Sequence, residues 1–137
     1  MKYLLDTCVL SQGAKADGDE GLLRWLGNTA IELQHISVLS LAEIEFGILR
    51  MPHGRRRQQV QNWFENEMKL SFRGRVLPFE ESAASTWALL RSRHLNAPLV
   101  DSQIAATALA HDLTLVTRNI RDFAFAGLAV FNPWQAR

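Results

Sequence analysis

The chain has 137 residues, of which 47% are hydrophobic and 21% charged, a balance that supplies one domain with a buried core and excludes a disordered or fibrous chain. Fifteen Lys and Arg against fourteen Asp and Glu give a net charge of +1, so bulk charge names no partner and only the placement of the charges can. The single cysteine, Cys8, excludes an intrachain disulfide framework and a multi-cysteine zinc site, and the sequence is read as one cytosolic domain over residues 1–137 with no membrane partner.

The first element is the strand KYLL (2–5). Its apolar run is far shorter than the roughly 7–15 residues of a signal-peptide core or the ~20 of a bilayer span. Asp6 ends it. A carboxylate at a strand exit either caps the next segment by accepting an early N–H, or faces a crevice where it needs a partner, because an unpaired buried carboxylate costs several kcal/mol or takes up a proton. Both readings are open. EGLLRWLGN (20–28) is a short amphipathic helix closed by Gly27 and Asn28, and IELQHISV (31–38) is the second strand. SLAEIEFGILRM (40–51) then runs as a helix up to Pro52. Ser40 and Glu43 have the spacing of a capping box, with Ser40 as N-cap and Glu43 reaching back to it. This helix also leaves the carboxyl end of a strand, where Glu43 can face the same crevice as Asp6. Glu45 points elsewhere.

A longer helix spans RRRQQVQNWFENEMKL (55–70). Arg50, His53, Arg55, Arg56 and Arg57 make the densest cationic run, a solvated helix end that becomes a phosphate-binding feature if a site lies nearby. Trp63 and Phe64, or Trp87, are candidates for a dimer surface. RVLPF (75–79) is the third strand, followed by helices over EESAASTWALLRSRHL (80–95) and DSQIAATALAHD (101–112). On the latter, Asp101, Ile104, Ala105 and Ala108 fall at i, i+3, i+4 and i+7, so the carboxylate shares the apolar face; a place in the first turn after Pro98 also lets the helix dipole favour its charge. LTLVT (113–117) and LAVF (128–131) are the closing strands. Between them RNIRDF offers Asn119 at the strand exit and Asp122 one turn later, and Thr117 can hydrogen bond to a carboxylate or phosphate oxygen.

Helices alternating with short strands predict an α/β fold with a mostly parallel sheet, whose functional crevice lies at the strand carboxyl ends. Asp6, Glu43, Asp101 and the Asn119/Asp122 corner gather there. Carboxylates a few Å apart stay ionised only beside a compensating cation, and oxygen-only ligands select Mg²⁺ or Mn²⁺ over zinc. His35, His53, His94 and His111 show no paired zinc spacing.

LLDTCVL, SVLSLAEIEFG, PLVDSQIAATAL and LVTRNIRDF stand in the order and at roughly the spacing of the PIN-domain ribonucleases. The chain most resembles the VapC/FitB-type toxins of bacterial toxin–antitoxin pairs, over nearly its whole length including the final VFNPW. The resemblance implies a three-layer α/β/α sandwich, metal-dependent endoribonuclease activity, a homodimer, and neutralisation by a small antitoxin whose own N-terminal part binds DNA. It carries Asp6, Glu43 and Asp101 onto the family's three main acidic positions. At the fourth, an acid in many members, the nearest match in TRN is Asn119, with Asp122 as the substitute. On this reading Asp6 and Asp101 hold a Mg²⁺ directly or through water, and Glu43 with the Asn119/Asp122 corner positions a second ion or the attacking water. Rim arginines, Arg118 nearest in sequence, steer an RNA such as a tRNA loop.

Two other classes are excluded. A haloacid-dehalogenase-like phosphatase needs a second Asp two residues after the first, where Cys8 stands, and a dinucleotide binder needs a glycine-rich first turn that DTCVLSQG lacks. The rival that remains is a PIN-like binding module, weakened in catalysis at Asn119 and acting through an antitoxin and DNA. An apolar groove for an antitoxin helix would be drawn from Leu22, Leu23, Trp25 and Leu26 with Ile44, Ile48 and Leu49, most of which read as core.

Overall fold

The computed structural model describes residues 1–15 and 17–134. Five strands, β1 (Tyr3–Leu5), β2 (Gln34–Ser37), β3 (Val76–Leu77), β4 (Thr114–Val116) and β5 (Val130–Phe131), form one sheet in the order β3-β2-β1-β4-β5. Every pairing is parallel. A parallel strand in the middle of such a sheet is covered on both faces, so its residues are apolar without alternation. Leu4 and Leu5 of the central strand behave so. Leu4 enters a core with Leu90, Ile104, Ala105 and Leu115, while Leu5 enters the opposite one with Val9, Ile36, Ile44, Phe64 and Val116.

Those two cores define three layers. On the Leu5 face lie α1 (Thr7–Gly13), α2 (Glu20–Asn28), α3 (Val38–Arg50) and α4 (Arg55–Trp63), the last continuing through a π-helical turn (Phe64–Met68) into α5 (Lys69–Ser71). On the Leu4 face, α6 (Glu81–Arg93) and α7 (Leu99–Ala110) pack on each other and on the sheet. Ala105, Ala106 and Ala108 are completely buried, and their small side chains bring α7 close to its neighbours. Trp87 donates its indole N–H to Ser102 Oγ at 3.0 Å, which ties α6 to α7.

Several local expectations change. IELQHISV divides into a 3₁₀ turn (Ile31–Leu33) and a strand confined to Gln34–Ser37. The helix after it starts at Val38, because Ser37 at the strand end is the first side chain able to cap it and accepts from Leu39 N–H at 3.0 Å. Ser40 is therefore not the N-cap and the Ser40–Glu43 capping box does not form. Both side chains are released toward α1. Thr7–Gly13 forms a helix that the sequence pattern did not single out, and α7 begins two residues before Asp101. Phe64 is buried in the core and Trp63 packs against it, so Phe64 offers no dimer surface. Of the residues drawn for an apolar groove, Leu22 is core and Leu49 exposed, while Ile44 and Ile48, themselves buried, line a groove beside α3. The α1–α2 connection needs Gly18, where a Cβ would come within 2.8 Å of the Gln12 carbonyl oxygen. Among the described residues no helix is long and apolar enough to cross a membrane.

Candidate active site

Parallel pairing brings the carboxyl ends of β1, β2 and β4 to one edge, since Leu5 stands beside both Ile36 and Val116. The residues that follow each strand emerge there, at the place where open α/β sheets put their sites. Asp6 leaves β1 with its backbone N–H on the Val116 carbonyl at 2.9 Å. Its carboxylate is buried and held by three donors: Oδ1 accepts from Thr7 N–H at 2.8 Å, while Oδ2 accepts from Thr117 Oγ1 at 2.8 Å and from the Cys8 thiol at 3.6 Å, which leaves a lone pair on Oδ1. The N-cap and the crevice turn out to be one arrangement. Capping α1 fixes one oxygen, and β4 fixes the other.

Thr117, wholly buried, is oriented in turn by the Asn119 backbone N–H, which donates to its Oγ1 at 3.0 Å. Burial first, and then the neighbouring Asp6 charge among the smaller effects, push the Cys8 thiol up from its ordinary value; it stays protonated and serves Asp6 as a donor. From the second layer of the edge, Thr7 Oγ1 donates to Glu43 Oε1 at 2.6 Å and lies 3.1 Å from Ser40 Oγ. Glu43 thus turns toward Asp6 and its neighbour, away from its own helix start.

Asp101 comes from the first turn of α7, half-buried. Its carboxyl is pushed up to about 6, by burial above all and then by the charges of Asp6, Glu43 and Asp122. The Asp122 charge is the smallest of these effects, and Asp122 itself is exposed. Asp122 sits on a 3₁₀ turn (Ile120–Phe123) whose winding brings its charge back within reach of Asp101, whereas Asn119 meets the site through its backbone. Sequence reasoning left that corner open, and it missed Thr7 entirely; the one signal for Thr7 was a hydroxyl directly after a strand-end acid.

Among the described residues no Lys, Arg or His forms an ion pair with these acids. The ion pair among the described residues is Lys69–Glu65 on the α4–α5 helix, at 3.3 Å, and the Arg118 guanidinium lies over the Trp134 ring. Oxygen-only donors with unbalanced negative charge suit a hard divalent cation. Among the described residues no three Asp, Glu, His or Cys side chains are grouped tightly enough to hold one ion by themselves. The arrangement fits a cation that takes one or two carboxylates and completes its shell with water and phosphate oxygens, the habit of Mg²⁺.

The PIN domain family model matches residues 3–127. VapC ribonuclease Y4jK of Sinorhizobium fredii is 39% identical over 136 residues, covering 96% of this chain and 97% of the relative, and toxin FitB of Neisseria gonorrhoeae is 34% identical over 135 residues, again covering 96% and 97%. Among solved structures, FitAB bound to an IR36 DNA fragment superposes with a TM-score of 0.88 at 32% identity, covering 98% of this chain and 97% of that one. With four acids assembled at the sheet edge and a family match over nearly the whole sequence, the chain belongs to the PIN domain family.

Proposed function

We propose that this protein is a divalent-metal-dependent endoribonuclease and the toxin of a toxin–antitoxin pair. The observation that carries the reading is the gathering of Asp6, Glu43, Asp101 and Asp122 at one sheet edge with no ion-paired cation among the described residues, in a chain 39% identical to a VapC ribonuclease. Asp6 and Asp101 are the groups to hold Mg²⁺ or Mn²⁺, with Glu43 placed to position a second ion or the water and Asp122 adding to the negative charge. A bound cation of this kind lowers the pKa of its water and neutralises charge developing on a phosphodiester. The chain's own residues supply the geometry. Three donors hold the Asp6 carboxylate in place, and Thr7 locks one oxygen of Glu43, leaving the other to orient an attacking water and accept its proton.

FitAB complexes are the basis for the partner: a cognate antitoxin carrying its own DNA-binding part, with the toxin itself a homodimer acting on RNA in the cytoplasm. The rival binding module rested on Asn119 standing where an acid is expected. What supports the nuclease reading against it is Asp122, whose charge adds to the upward shift of Asp101.

The test is cleavage of a total small-RNA pool by the purified, partner-free chain. Cutting is expected with Mg²⁺ or Mn²⁺ and is abolished by EDTA; an intact pool under every metal would return the binding module to first place. Within the same assay Asp122→Asn should cost roughly 10–100-fold in rate. Asn119→Ala, whose backbone donor survives, should stay within about twofold, as exposed substitutions do. The reverse order would make Asn119 the fourth group.

A further inference from the structure

Beyond the acids, a groove of about 720 Å³ opens between α1, α3 and the start of α4, and Thr7 and Glu43 form its inner end. It is continuous with the site. Gly47 lies one turn after Glu43 on the same helical face and lines the groove. Glycine inside a helix weakens it relative to alanine, and here the protein's own packing does not demand it: a Cβ on Gly47 would meet nothing within 4 Å. What the missing side chain preserves is space beside Glu43. The charges further out are Lys15 at the end of α1, Arg56 in the first turn of α4, and Asp17, two cations against one acid. The Lys15 and Arg56 side chains are exposed and make no ion pair or hydrogen bond among the described residues. Trp63, half-buried, adds an aromatic face to the same wall.

We propose that this groove is a subsite for the single-stranded RNA flanking the scissile bond, with Lys15 and Arg56 binding its phosphates and Gly47 keeping the passage to Glu43 open. The proposal rests on the nuclease reading and deepens it. A polyanion arriving at a ring of carboxylates needs cations just outside that ring, and this groove provides them on a path that shares a wall with Glu43. Single strands are held by such pairings of a cationic track with an aromatic platform.

The test measures binding of a fluorescently labelled, mixed-sequence single-stranded RNA by anisotropy over a series of salt concentrations, on the Asp6→Asn background so that nothing is cut. Lys15→Ala and Arg56→Ala should each lower the slope of log affinity against log salt by about 0.7, the value for one phosphate contact on a single strand. Gly47→Leu should weaken binding roughly tenfold, while Gly47→Ala, which restores helix propensity, melts higher than its parent. Unchanged slopes and affinity in all the variants overturn the proposal. So does a result in which they keep RNA affinity but lose a partner that co-purifies with the parent chain, since the groove then belongs to a protein segment. Because binding is read without cleavage, a wild type that cuts no RNA defeats the nuclease reading alone and leaves the groove to be decided by these slopes.

Discussion

Asp6→Asn is expected to reduce RNA cleavage by roughly 10²–10³-fold, the loss that follows when one preorganised electrostatic group is removed from a reacting centre, while leaving the fold in place. The two halves of that expectation have separate causes. Asn is as good an N-cap as Asp, so its carbonyl oxygen can still accept from Thr7 N–H, and α1 should still start where it does. What disappears is the negative charge. With it goes much of the attraction for a cation, so the thermal stabilisation that Mg²⁺ or Mn²⁺ confers on the wild type, which grows as RT ln(1 + [L]/Kd), should shrink or vanish. Circular dichroism melts with and without metal, run beside the cleavage assay, separate these outcomes. A variant that melts normally, ignores metal and does not cut places Asp6 in the chemistry. One that cuts within a few-fold of wild type would leave Asp6 as a helix cap only.

The double duty of Asp6 also explains what could be read from the sequence. KYLL followed by Asp, and the i, i+3, i+4, i+7 placing of Asp101 against Ile104, Ala105 and Ala108, are local patterns whose meaning survives folding; both acids arrive where the pattern puts them. Alternation of helices and strands sufficed for an α/β fold with a parallel sheet, while its three layers were implied by the family resemblance. Helix α1 was hidden because its seven residues hold too few turns for a period to emerge, and its buried pair Val9 and Leu10 follows a strand with only Asp6 between. Ile31 and Leu33 mimic the alternation of a strand and yet belong to a 3₁₀ turn.

Two further features depend on contacts between distant segments. Ser37 and Ser40 are both good N-caps by composition, and the choice falls to Ser37 because β2 ends there against Leu77 of β3. Only then does Ser40 become free to meet Thr7, 33 residues away in sequence. Likewise the sequence gives Asn119 and Asp122 equal standing, and the 3₁₀ turn between Ile120 and Phe123 separates them, leaving the backbone of one on Thr117 and sending the charge of the other toward Asp101.

Asp101→Asn should abolish cleavage on the same scale as Asp6→Asn, roughly 10²–10³-fold, and yet make the metal-free protein more stable at pH 8. The sign follows from the raised pKa. In the folded chain Asp101 titrates near 6, above the ~3.9 of an unfolded Asp, so the native state binds this proton more tightly. Ionising it costs stability progressively as pH rises from about 4 through about 6, and the full cost persists above that. Asparagine carries no such cost. Because Asp101 is half open to water, the gain is discounted for screening to roughly 1 kcal/mol, or about 4 °C in melting temperature. At pH 4, with Asp101 protonated in the folded state, the advantage should largely disappear. Adding Mg²⁺ or Mn²⁺ should reverse the order at pH 8, since the cation stabilises the wild type by up to ~2.7 kcal/mol at a hundredfold excess over Kd and has lost a carboxylate in the variant. Melting curves of both proteins at pH 4 and 8, with EDTA and with metal, decide it. A variant less stable than wild type at pH 8 in EDTA would mean that the folded chain already compensates the Asp101 charge, and the case for a cation at this edge would lose its electrostatic basis.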